Sequence, residues 1–184
     1  MSATSVRVNA PSSVSTGQAI LSGWLLCGVL DITAACVQSW INAGRTPDQV
    51  LKGVASALWG SAAAAGGAGM AAIGLLMHFT VALTATLVFY ALSRRLSFLR
   101  TAPLLLIGPL YGVVVFCAMN YGTLPLMSWV RSFYLGTAPR WPGSMGWPQV
   151  LIHMVCVGLP IAWGVRRAPM SRLDVYFASG SGRS

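Results

Sequence analysis

Four polar or ionisable side chains stand inside otherwise apolar stretches of this sequence: Asp31, His78, Asn120 and His153. An aspartate at the centre of a membrane helix costs at least about 2.5–3.5 kcal/mol on insertion scales, so such residues turn towards partners or water. Three chemistries follow from these residue types. As interhelical glue, Asp31, Asn120 and the two imidazoles would satisfy one another, through bonds worth about 0.6 kcal/mol each on average in membrane proteins. As a transport site, Asp31 with histidine partners would relay protons or hold a cationic solute. As an electron carrier, His78 and His153 on different helices would give a b-type haem its two axial ligands. The pair His153 and Cys156 gives copper or zinc too few ligands and no carboxylate neighbour, so no metal site is assigned.

The elements that must position these groups follow from composition. Of 184 residues, 55% are hydrophobic and 8% charged, against roughly 25% charged in an ordinary soluble domain. A water-soluble surface cannot be built from that supply. The expected fold class is all-α: a polytopic membrane protein, a bundle of four transmembrane helices with a short interfacial helix after the first. The net charge of +9 comes from twelve Lys and Arg against three acids, Asp31, Asp48 and Asp174. These basic residues cluster beside the apolar segments, where they set orientation and meet anionic headgroups. No basic face with interleaved aromatics tracks a nucleic-acid strand. The lipid bilayer is the expected partner, with a homo-oligomer or a larger membrane complex left open. No glycine-rich phosphate loop, G-x-S-x-G elbow or paired carboxylate occurs, so hydrolase and nucleotidyl chemistry are not expected. The four cysteines, Cys27, Cys36, Cys117 and Cys156, lie in apolar segments as small hydrophobes.

Spans are expected at 19–41, 70–92, 104–127 and 148–165, within a membrane domain of 19–167, since about 20 apolar residues cross a bilayer. The first is too long for the apolar core of a cleavable signal. Residues 1–18 and 168–184 read as cytoplasmic tails, the first without order. Thr46, Pro47 and Asp48 place a cap, a proline and an acid where a helix starts. The interfacial helix therefore runs over 47–59, too short to span, with Trp59 suited to the interface. Pro109 and Pro125 predict kinks in the third span. Residues 128–147, with Trp129, Tyr134, Trp141 and Trp147, read as an aromatic loop. Eight basic residues fall in the tails and the middle loop and four in the other two loops, so both termini should face the cytoplasm.

At about 1.5 Å per residue, His78 and Asn120 lie about 10–12 Å from the outer ends of their spans, His153 about 7–8 Å and Asp31 about 15 Å. Each shares a helix face with small residues: Asp31 with Cys27 and Ala34, His78 with Gly74 and Ala82, Asn120 with Gly108 and Gly112, His153 with Gly164. Small faces are packing faces in membranes. The four residues are thus expected to converge on one intramembrane polar pocket in the outer half of the bundle, with an imidazole within hydrogen-bond reach of Asp31 or Asn120.

The strings Gly74-Leu75-Leu76-Met77-His78-Phe79, Met119-Asn120 and Ile152-His153-Met154, with the stretch from Gly23 to Asp31, Thr46-Pro47 and Val54-Ala55-Ser56, cover most of the chain. In these it resembles a group of small bacterial inner-membrane proteins of unknown function. Its histidines in a middle and in the last helix are more distantly similar to YagU-like proteins. The resemblance implies a bacterial inner membrane and no particular activity. The expectation is a structural or accessory membrane component with a polar pocket and no cofactor; the alternatives are a proton-coupled or small-solute transporter using Asp31, and a haem b electron carrier using His78 and His153.

Overall fold

The computed structural model describes residues 14–139 and 146–169. Most of both tails, and Trp141 of the expected loop, lie outside these. Among the described residues four helices are long and apolar enough to cross a membrane: Thr16–Ala43, Ala68–Arg95, Leu104–Leu135 and Trp147–Arg166, here the first to fourth spans. There is no strand among the described residues. The chain is an all-α, multi-pass membrane protein. Large apolar side chains point away from the bundle, among them Leu106 (58% exposed), Leu110 (57%) and Val114 (55%) on the third span, as a lipid-facing surface requires.

Local chemistry sets the helix ends. The first span begins three residues before the expected position because Ser15 caps it: its hydroxyl accepts from Gln18 N at 3.2 Å, and Gln18 Oε1 accepts from Ser15 N at 2.9 Å. This is a capping box. The short helix Pro47–Trp59 starts with Pro47, with Gln49 Oε1 accepting from Thr46 N at 3.0 Å and Asp48 paired to Lys52 at 2.9 Å. The third span departs most from expectation. It continues past Met127 to Leu135 and stops at Gly136, whose φ of 61° is the left-handed turn that ends helices. Trp129 and Tyr134 therefore belong to a helix, and Trp129 packs edge-on against Phe133 one turn later.

Glycines let backbones touch. A Cβ on Gly158 of the fourth span would lie 1.9 Å from Gly108 O of the third, and one on Gly112 would lie 2.2 Å from His153 O. Gly164 meets Gly23 of the first span just as closely. The third and fourth spans thus cross on a Gly108-x-x-x-Gly112 face, the small-residue contact of membrane helices.

Both of these spans contain a widened π-helical stretch, Ala118–Thr123 and His153–Gly158. Each ends two residues before a proline, Pro125 and Pro160. A proline ring clashes with the carbonyl four residues back and donates no hydrogen bond. Shifting the bond pattern by one residue, as in Leu124 N to Met119 O, relieves that clash without ending the helix.

Candidate functional site

Gly28 of the first span faces Phe79 of the second so closely that a Cβ would meet the ring at 2.4 Å. Trp24 Nε1 donates to Phe79 O at 2.8 Å and packs edge-on against the Phe79 ring. This lock fixes the two spans in register and brings His78 to the first helix. His78 Nε2 lies 2.9 Å from Gly28 O. A carbonyl only accepts, so Nε2 carries the proton and Nδ1 presents a lone pair when the ring is neutral. That Nδ1 stands 4.0 Å from Asp31 Oδ2, beyond direct hydrogen-bond reach. Two acceptors therefore confront each other across a gap, and a proton or a donor group placed between them would reconcile them. Asp31 Oδ1 is buried and has no hydrogen-bond partner among the described residues.

His153 sits in the π stretch of the fourth span, where its Nδ1 lies 2.9 Å from Gln149 O one turn earlier. By the same reasoning Nδ1 carries the proton and Nε2 keeps its lone pair. The ring is 8% exposed and packs edge-on against Phe116 at 5.2 Å between centroids.

Asp31, His78 and His153 line a single cavity of about 160 Å³, together with Cys27, Val81, Val115, Val157 and the methionines Met77, Met119 and Met127. That is close to the size of an engineered cavity of about 150 Å³ that admits a benzene ring. Its wall is otherwise apolar. A neighbouring groove of about 280 Å³, between the second and third spans, shares Val81, Ala85, Val115 and Met119 with it and continues along the exposed Val88 and Val114.

Asn120, expected in the same pocket, does not line it. Its amide donates to Phe116 O at 2.9 Å within its own helix, and Met119 faces the cavity instead. The cavity takes the Val115 and Met119 face of the third span, whereas the Gly108, Gly112 and Phe116 face that Asn120 extends packs against the fourth span. The expected hydrogen bond from an imidazole to Asp31 or Asn120 is likewise not formed directly.

No protein-family model matches this chain, and neither does any curated protein or solved structure.

One wall of the cavity comes from the short helix Pro47–Trp59. Gly53, Val54 and Ala57 of the short helix close it at the end away from the chain termini. Ala55 is fully buried, and Gly74 lies so near Leu51 O that a Cβ would clash with it. Arg131 Nη1 donates to Ser56 O at 2.8 Å, and the Tyr134 hydroxyl donates to Leu58 O. The helix is thus folded against the second and third spans as a cover. Its apolar positions Val50, Val54 and Leu58 were the available signal, but an amphipathic face fits a lipid surface and a protein mouth equally well.

Proposed function

We propose that this protein is a proton-coupled carrier of a small organic cation, with Asp31 as the anchor of its binding cavity. The observation that carries the reading is Asp31 Oδ1, buried beside an apolar cavity with no partner among the described residues. A cluster serving only as interhelical glue would satisfy its own acceptors, because an unpaired polar group in hydrocarbon is costly. Here Asp31 Oδ1 has no hydrogen-bond partner among the described residues, and the neutral His78 and His153 rings leave lone pairs on Nδ1 and Nε2. A protonated amine supplies both the donors and the charge that this surface lacks.

The same geometry supports proton coupling. With the cavity empty, a proton held between Asp31 and His78 reconciles the two facing acceptors. An arriving cation takes over that role, and the proton leaves with the charge of the cavity unchanged. The groove between the second and third spans gives a lipid-dissolved amine a lateral approach. The haem alternative draws no support from the side chains: His78 Nε2 is engaged by Gly28 O, and about 160 Å³ does not enclose a macrocycle. For location, we place the protein in a bacterial inner membrane on the sequence resemblance, and both termini in the cytoplasm on the excess of basic residues in the tails and the middle loop.

Ligand protection of the purified protein tests the binding half of this reading. Benzylammonium should raise the unfolding temperature of the wild type and not of Asp31→Asn, and benzyl alcohol, of similar shape without charge, should do neither. Equal protection by the amine and the alcohol would remove Asp31 from the site.

A further inference from the structure

We infer that Arg100 and Arg166 form a second binding site, at the opposite end of the bundle, for a phosphate group, and that its occupant is the headgroup of an anionic phospholipid. Arg166, the last residue of the fourth span, donates from Nε to Leu99 O at 2.7 Å. Arg100 donates from Nη2 to Ala168 O at 2.5 Å. Each guanidinium is thereby tied to the segment that carries the other, and both are held in place by backbone. Arg100 Nη1 and Arg166 Nη2 remain buried with no hydrogen-bond partner among the described residues. The two charges lie close enough to repel one another.

Paired cations with buried, unused N–H groups call for an anion between them. Among the described residues no acid stands there: Asp31 lines the cavity near the other end and Asp48 is bound to Lys52, while Asp174 lies outside them. Two guanidinium forks match the several oxygens of a phosphate better than any single acceptor does. The site lies where the second, third and fourth spans end, the level at which lipid phosphates stand. Phe98 and Leu105 beside it are exposed apolar residues that acyl chains would cover.

The test uses the full-length protein in a neutral detergent, with phosphatidylglycerol, phosphatidylcholine and inorganic phosphate as probes. Phosphatidylglycerol should raise the unfolding temperature and stay bound in native mass spectrometry, and phosphatidylcholine should do neither. Arg100→Lys and Arg166→Lys keep the charge and lose the fork, and each should weaken phosphatidylglycerol binding about tenfold. Arg95→Gln, which removes an exposed charge at the same end, should leave binding within about twofold. If one lysine variant does not fold, the other and the comparison of the two lipids on the wild type still decide. Equal protection by millimolar inorganic phosphate, with none added by the lipid, would keep the phosphate site and overturn the lipid assignment. Absence of protection by either, or protection unchanged in both lysine variants, would overturn the site itself.

Discussion

At Gly158 the fourth span has no room for a side chain, because the Gly108 carbonyl of the third span occupies the place of its Cβ. Gly158→Val should therefore separate the two helices and cost about 2–3 kcal/mol, read as a fall in unfolding temperature in detergent. Gly122→Ala, which meets open space, should stay within about 0.5 kcal/mol of the wild type. An equal loss in both would mean that the glycine crossing does not hold the bundle. Asp31, His78 and His153 were legible in the sequence because an ionisable group in an apolar helix has few places to turn. Asn120 was legible as a polar residue but not in its direction, since the small-residue face it extends meets the fourth span and the cavity takes the neighbouring Val115 and Met119 face. The partner of His78 was not legible at all: a backbone carbonyl fifty residues away leaves no mark on residue type.

Among the elements, the short helix Pro47–Trp59 decides whether the cavity is closed. Its hold on the third span comes through Arg131 and Tyr134, both donating to its carbonyls near Ser56 and Leu58. Arg131→Gln should loosen this cover while leaving the four spans in place. In a Val54→Cys background, labelling by a water-soluble maleimide should then become at least about fivefold faster, as expected when a local closed state loses a charged hydrogen bond. Labelling equally slow with and without Arg131 would show that packing at Gly74, and not the guanidinium, keeps the helix down. The start of this helix could be read from Thr46, Pro47 and Asp48. Its docking could not, and the length of the third span was obscured by the same residues that form the clamp: an aromatic run with Gly136 and Pro139 beyond it resembles a loop until its helical contacts are seen. Of the two prolines expected to bend the third span, Pro125 follows a π stretch, whereas Pro109 lies within the α-helix Leu104–Cys117.

For the molecule as a whole, an even number of spans would put Thr16 and Arg166, where the first span begins and the fourth ends, on one side of a membrane. On the proposed orientation, the excess of basic residues in the tails and the middle loop makes that side the cytoplasm. Reporter fusions at either end should both report the cytoplasm, and a cysteine placed at Thr137 should react with an impermeant reagent added from outside. A carboxyl terminus found outside would contradict the four-span topology. The four spans were the most legible feature, since long apolar stretches are redundant signals. Cavities were the least legible, because they depend on which side chains leave space.

Transport itself is measured most directly in proteoliposomes. With a proton gradient imposed, wild-type protein should take up benzylammonium while an internal pH dye records protons moving the other way. Asp31→Asn should reduce both fluxes at least about tenfold, since loss of one partner of a buried charge pair costs about 2 kcal/mol or more, and its unfolding temperature should stay near that of the wild type. Uptake unchanged in Asp31→Asn, together with a lowered unfolding temperature, would contradict this account and assign Asp31 to packing.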